Sequence, residues 1–87
     1  MPAPKVVMYS TEWCPYCARA RNLLEKKGVA FEEIDIDADP QARADMISKG
    51  GGDTVPQIFI GETHVGGSDE LYALESAGSL DSMLTGA

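Results

Sequence analysis

The sequence predicts an α/β domain in which a mixed four-stranded sheet is flanked by helices in the order β-α-β-α-β-β-α. Three observations lead there. A non-alternating run of β-formers near the start gives way to a helical pattern and then to a second β-rich run, as in a βαβ unit. Two later β-rich runs are separated only by Gly61-Glu62, which reads as a hairpin turn. At 87 residues the chain has room for one core, since a domain of this size buries roughly 60% of its unfolded surface. All elements are therefore assigned to one domain over residues 1–87.

The run Val6, Val7, Met8, Tyr9 lacks alternation, which suits a central strand covered on both faces. Thr11 to Trp13 then form a short loop. From Pro15 to about Lys27 the pattern is helical: Ala20, Leu23 and Leu24 share an apolar face, Lys26 and Lys27 sit in the last turn, and Gly28 stops it. Pro15 fits the first helical position, where no hydrogen bond is lost. Val29 to Ile36 reads as the second strand, with an irregularity expected at Glu32 and Glu33. Asp39-Pro40 is a cap and first-turn pair for a helix to about Lys49, ended by Gly50, Gly51 and Gly52. Pro56 to Ile60 and Thr63 to Val65 make the hairpin. Ser68 is expected to cap a helix to about Ala77, and Ser79 to start a short helix reaching the C-terminus. A helical crossover makes the first two strands parallel, and the tight turn makes the last two antiparallel.

The net charge of -7, from 14 acidic against 7 basic residues, repels phosphate backbones and anionic lipid and argues against nucleic acid as a partner. Apolar stretches are far shorter than the roughly 18–20 residues that cross a bilayer. The opening Met1 to Lys5 holds two prolines and no apolar signal core, so a cytoplasmic protein away from membranes is expected.

Chemistry is concentrated in Trp13-Cys14-Pro15-Tyr16-Cys17. A bridge between cysteines three residues apart closes too short a loop to be a useful staple, about 2 kcal/mol before strain. In a reducing compartment such a pair is catalytic or metal-binding more often than structural. Cys14 falls at a helix start, which favours an anion, and is the candidate nucleophile. Cys17 shares a face with Ala20 and Leu24, so it turns inward and can resolve a mixed disulfide without initiating one. Their α-carbons fall within the separation a disulfide tolerates. Zinc is the competing reading, but His64 is the only other good soft ligand and would leave a structural tetrahedron incomplete. Two inert core thiols are the bland alternative.

These residues resemble the glutaredoxins. Cys14-Pro15-Tyr16-Cys17 matches their dithiol motif, Thr54-Val55-Pro56-Gln57-Ile58-Phe59-Ile60 a second signature, and Gly66-Gly67-Ser68-Asp69 a third, in the family's order along residues 5–84. The resemblance implies a thioredoxin-like fold and a glutathione-dependent thiol-disulfide oxidoreductase with no tightly bound cofactor and glutathione as co-substrate. It implies a cis Val55-Pro56 bond, although X-Pro bonds are seldom cis and the residues alone favour a plain strand-initiating proline. Glutathione contacts are implied at Thr11, Tyr16, Thr54, Val55, Pro56, Gly67, Ser68 and Asp69. The Val55 backbone would pair with the tripeptide by strand addition, and the nest of Gly66 and Gly67 followed by Ser68 and Asp69 would hold the γ-glutamyl α-carboxylate.

This sequence departs from the family pattern in carrying Thr11 and Glu12 where a basic residue often precedes the first cysteine, and Asp53 where a basic or amide residue is frequent. Lower glutathione affinity is therefore expected, with Lys5 and Lys49 the nearest substitutes for the missing charge. Ser68 replaces a cysteine that many members carry. Trp13 and Tyr16 are candidate rim residues, His64 is read as a solvated surface residue, and Arg19 and Arg21 as solvating charges. The implied partners of a monomer are glutathione and glutathionylated or disulfide-containing proteins, ribonucleotide reductase among them. Two alternatives stay open: a redoxin reduced by thioredoxin reductase, and a binding protein for an iron-sulfur cluster ligated with glutathione.

Overall fold

In the computed structural model, which describes residues 4–85, the first run of β-formers becomes β1 (Val6–Ser10). It is followed by α1 (Pro15–Lys26), β2 (Glu32–Asp35) and α2 (Pro40–Met46). A wider π-type turn, Ile47–Gly51, leads on to β3 (Gln57–Ile60), β4 (Thr63–Gly66), α3 (Ser68–Ser76) and α4 (Leu80–Thr85). The sheet order is β2-β1-β3-β4. β1 runs parallel to β2 and antiparallel to β3, and β3 and β4 form an antiparallel hairpin. This is the mixed four-stranded sheet that the sequence predicts.

β1 lies in the middle because both of its faces are apolar. Val6 and Met8 point into a cluster with Ala20, Leu23 and Leu24 of α1, Ile58 and Ile60 of β3, Leu71 of α3, and Leu80 and Leu84 of α4. Tyr9 points the other way, into a smaller cluster with Ile36, Phe59, and Ala42 and Met46 of α2. Alternate residues of a strand face opposite sides, so a run without alternation is what a doubly covered strand needs.

The second strand is shorter than expected, because regular pairing with β1 begins only at Val7 opposite Glu32. The irregularity expected at Glu32 and Glu33 is absent. Val29 and Phe31 pack on the larger cluster, Ile34 and Ile36 with the smaller one. The apolar residues change from odd to even positions because they change face, not because the strand slips. Beyond Asp35, the Ile36 N–H still donates to the Ser10 carbonyl at 3.0 Å.

Other boundaries differ for local reasons. α1 ends one residue early, with Lys27 as its C-cap and Gly28 at φ +72°, the left-handed conformation that glycine adopts without strain. The helix expected to run to Lys49 is α-helical only to Met46, then widens and breaks at Gly50, whose φ is +93°. Ser68 does not cap α3. Gly67 occupies the N-cap with no side-chain bond, and Ser68 is the first helical residue, buried beneath the turn. α4 follows the expected start, and its continuation to the C-terminus lies outside the described residues, as does the first part of the Met1 to Lys5 segment. Val55-Pro56 is cis.

Ion pairs tie the layers at their edges. Lys27 Nζ reaches Glu75 at 2.6 Å and Asp81 at 3.0 Å, linking the end of α1 to α3 and α4. On the α1 face of the sheet, Glu33 accepts from Ser10 Oγ at 2.7 Å and from Arg21 Nε at 2.7 Å. This joins both parallel strands to α1.

Two measurements check this packing. Leu24 has no exposed surface, so Leu24→Ala should lower stability in chemical denaturation by about 2–5 kcal/mol, the lost transfer energy plus a cavity. The Arg21 guanidinium, with help from Ser10, holds the Glu33 carboxyl below its ordinary 4.5. That contribution is complete above about 4.5 and is lost as pH falls through the lower folded value. Glu33→Gln should therefore flatten the acid limb of a stability-pH curve.

Candidate active site

The loop between β1 and α1 delivers Cys14 to the N-cap of the helix with an extended backbone, φ -94° and ψ 113°. Its sulfur accepts the Cys17 N–H at 3.3 Å, taking the part that a serine or aspartate oxygen usually plays, and its carbonyl accepts the Ala18 N–H at 3.1 Å. Pro15, with no N–H, follows in the first helical position. From the other side, the Cys14 thiol donates to the Val55 carbonyl at 3.7 Å. The dithiol is thus held between the start of α1 and the residues that lead into β3.

The two cysteines meet different environments. Cys14 is half-buried and both thiols are free. Cys17, three residues along α1, has no exposed surface and lies on the buried face of the helix with Ala20, Leu23 and Leu24. Burial pushes its thiol from 9.0 up to about 12, and the Cys14 sulfur pushes the same way. A backbone hydrogen bond with Thr11 and the positive charge of Arg21 pull it down, but do not prevail. Cys17 is therefore a neutral thiol at neutral pH.

Beside the dithiol lies a cleft of about 270 Å³ lined by Tyr16, Thr54, Val55, Pro56, Gln57, His64, Gly66, Gly67, Ser68, Asp69 and Glu70. Seven of the eight residues that the sequence suggests for glutathione are in this lining. The eighth, Thr11, lies elsewhere, in a separate cavity of about 460 Å³ with Ser10, Glu12, Arg21, Glu33 and Asp35. Lys5 and Lys49, the substitutes for a missing basic residue, line neither cleft. Lys5 pairs with Glu32 at 3.2 Å, and Lys49 donates to the Tyr9 hydroxyl at 2.9 Å. Both border a third cavity, with Val7, Phe59, Gly61 and Glu62.

Sequence reasoning missed Gln57, His64 and Glu70 as cleft residues. His64 is exposed, as the sequence suggests, and is also held in place. Its Nε2 lies 2.7 Å from Gln57 Oε1, and its ring stacks on Phe59 at 4.8 Å between centroids. Gln57 in turn donates from Nε2 to Thr54 Oγ1 at 3.0 Å. The available signal was Gln57 itself, a polar residue inside an otherwise wholly apolar buried strand. Gly66 holds φ +116°, a conformation that strains any residue with a side chain, and a Cβ there would also crowd the Glu70 side chain, 3.0 Å from its Cγ.

At the rim, Trp13 is 87% exposed and Tyr16 54%. Arg19 is engaged by Tyr72: its guanidinium lies 5.8 Å from the ring centroid, and its carbonyl accepts the Tyr72 hydroxyl at 3.1 Å. Among the described residues no group of three or more His, Cys, Asp and Glu is placed to hold a metal ion. None of the described helices is long and apolar enough to cross a membrane.

The family model for glutaredoxin matches residues 6–65. The chain is 60% identical over 82 residues to a glutaredoxin of Pseudomonas aeruginosa, covering 94% of this chain and 98% of that one. It is 52% identical over 79 residues to glutaredoxin 3 of Escherichia coli K12, covering 91% and 95%. Among solved structures, the glutaredoxin of Brucella melitensis superposes with a TM-score of 0.84 at 53% identity, covering 98% of this chain and 92% of that one. A buckwheat glutaredoxin-glutathione complex superposes with a TM-score of 0.86 at 31% identity, covering 95% and 78%. Matches of that identity, over a fold shared almost end to end, make this chain a member of the glutaredoxin family.

Proposed function

We propose that this glutaredoxin reduces protein-glutathione mixed disulfides and protein disulfides, with Cys14 as nucleophile, Cys17 as resolving thiol and glutathione as reductant. The observation that carries this reading is the unequal placement of the two sulfurs. Cys14 stands half-exposed at a helix start beside the Tyr16 to Glu70 cleft, and Cys17 is sealed beneath it. Only the first can meet an incoming disulfide.

In the proposed reaction the Cys14 thiolate attacks the glutathione sulfur of a mixed disulfide. The Cys14-glutathione bond forms, the bond to the substrate protein breaks, and the substrate thiolate leaves and takes up a proton. A second glutathione thiolate then attacks the bound glutathione, giving oxidised glutathione and free Cys14. With a protein disulfide, Cys14 attacks first and Cys17 then displaces the substrate, forming a Cys14-Cys17 bridge that two glutathiones reduce. Thr54, Val55 and Pro56 would align the tripeptide along one wall of the cleft, while Gly67, Ser68 and Asp69 at the start of α3 would receive its γ-glutamyl carboxylate. Support comes from the lining of the cleft and from a relative of the same fold that binds glutathione. Thr11 fits a different part in this reading, since its backbone meets Cys17. A cytoplasmic monomer acting in a reducing compartment completes the proposal, with glutathionylated and disulfide-bearing proteins as substrates.

Acidic groups surround this cleft. Asp69 and Glu70 line it, Asp53 adjoins Thr54, and Glu12 stands exposed just before the dithiol. Asp69 meets the tripeptide through its backbone N–H in this reading, and the side-chain charges together oppose an anionic ligand. Glutathione should therefore bind less tightly than where a basic residue holds one of these places.

Two predictions follow from this arrangement of residues. Cys14→Ser should abolish turnover of both substrate types in an assay coupled to glutathione reductase. Cys17→Ser should retain deglutathionylation and lose most reduction of protein disulfides; an inert Cys17→Ser would overturn the division of labour. Asp53→Lys should lower KM for a glutathionylated peptide by about two- to fivefold, the scale of an exposed charge worth up to about 1 kcal/mol. The gain should shrink with added salt.

A further inference from the structure

Val29, Phe31 and Glu33 occupy alternate positions approaching and within β2, and so face the same side of the sheet. Val29 and Phe31 pack on the core cluster beneath α1. Glu33 ends that row at the partly exposed edge of the sheet, where its side chain and that of Arg21 are 28% and 32% exposed. Its carboxylate accepts from Ser10 Oγ at 2.7 Å and from Arg21 Nε at 2.7 Å, and a second Arg21 nitrogen closes a two-pronged contact. Ser10 is 2% exposed, so the anchor of this chain of bonds is interior.

Arg21 follows Cys17 by four residues on α1. Side chains at that spacing are neighbours on one helix face, roughly 5–6 Å apart between Cβ atoms. A fixed guanidinium therefore stands one turn behind a fully buried thiol. Charges matter more there than in water. The charged groups acting on Cys17 are the Cys14 sulfur and Arg21, while Glu33 and Glu25 act in turn on Arg21. Glu12 and Asp35 border the same cavity, the latter occupied by the N–H groups of Asp37 at 2.8 Å and Ala38 at 3.3 Å. From α3, packed against α1, the buried contribution is apolar Leu71.

We propose that Arg21 is a positioning residue for the resolving step: its charge stabilises the negative sulfur that Cys17 becomes as it attacks, and the Glu33 carboxylate, held by Ser10, sets how much of that charge is available. This rests on the reading of Cys17 as the resolving thiol. In that step Cys17 loses its proton and its sulfur attacks Cys14 Sγ. The Cys14-Cys17 bond forms, the bond from Cys14 to the substrate sulfur breaks, and the substrate thiolate leaves and takes up a proton. Where Cys14 carries glutathione, glutathione is the thiol that leaves. There is no net oxidation.

The pair acts in opposite senses. Neutralising Arg21 leaves a bare carboxylate near the reacting sulfur, whereas neutralising Glu33 leaves an uncompensated cation. Loss of a shared structural support would instead move both variants the same way.

The test uses the full chain glutathionylated at Cys14, with Cys17 free and no added thiol in solution, and follows glutathione release by mass spectrometry in a single turnover across about two pH units upward from neutrality. Thiolate nucleophilicity falls as the thiolate is stabilised, so only about half of the electrostatic gain appears in the rate. Arg21→Gln should slow release by about three- to tenfold and Glu33→Gln should speed it by about two- to fivefold. Arg21→Lys should restore most of the rate, and Lys26→Gln, the same charge change on an exposed part of α1, should leave it unaltered. Equal or same-direction effects of Arg21→Gln and Glu33→Gln would overturn the proposal. Should Arg21→Gln fail to fold, slower release from Glu33→Gln alone would do so. Cys17→Ser must release no glutathione in this assay; release at the unsubstituted rate would instead refute the resolving role, and the inference with it.

Discussion

One sulfur closes the start of α1. By accepting the Cys17 N–H, Cys14 satisfies a donor that the first helical turn cannot pair internally. This ties helix geometry to reactivity. The cap fixes the sulfur at the end of the helix where oriented N–H groups favour negative charge. Because the cap residue is also half-exposed, the same contact presents it to solvent. Placement then depends on β1, whose two apolar faces bury it at the centre of the sheet and so aim the following loop at the residues leading into β3. The Val55 carbonyl, 3.7 Å from the Cys14 sulfur, marks where the two segments meet.

From this follows the asymmetry between thiols only three residues apart. A helix turns its third residue onward to a neighbouring position on its surface, and α1 needs that position for its buried stripe. Cys17 therefore loses contact with water and is held neutral, while Cys14 keeps it. No separate device is required to order the two sulfurs. Burial of the helix face that stabilises the fold is also what keeps the second thiol from meeting a substrate first.

Much of this was legible before the structure. The doubly covered strand, the helix stops at Gly28 and Gly50, the hairpin at Gly61-Glu62 and the inward turn of Cys17 each follow from a local rule acting on named residues. What escaped was tertiary. Nothing in the local sequence reveals that the odd-to-even change between Phe31 and Ile34 is a change of face, because a core on both sides of the sheet is what makes both parities apolar. Ser68 follows glycine as caps often do, yet the chain turns one residue sooner and buries it. His64 is the exposed edge residue the sequence suggests, but its contacts with Phe59 and Gln57 depend on the β3-β4 register that sets it opposite Phe59.

The polar residues that interrupt apolar rows carry a further lesson. Gln57 in β3 and Ser10 in β1 stand where burial would favour hydrocarbon, with Glu33 at the exposed margin of β2 beside Ser10, and a polar group moved from water without partners costs several kcal/mol on the order of a whole domain's margin. Each has its partners, and among the described residues no buried side-chain nitrogen or oxygen lacks one. The two resulting chains of bonds are not scattered. Thr54, Gln57 and His64 line the cleft beside Cys14, while Ser10, Glu33 and Arg21 reach the helix face that carries Cys17. Packing alone would have been served as well by an apolar side chain at Ser10 or Gln57. Their polarity is intelligible in that one chain lines the cleft whose Val55 carbonyl meets Cys14 and the other reaches the helix that carries Cys17, where a fixed dipole or charge can act on chemistry that an apolar wall would leave untouched.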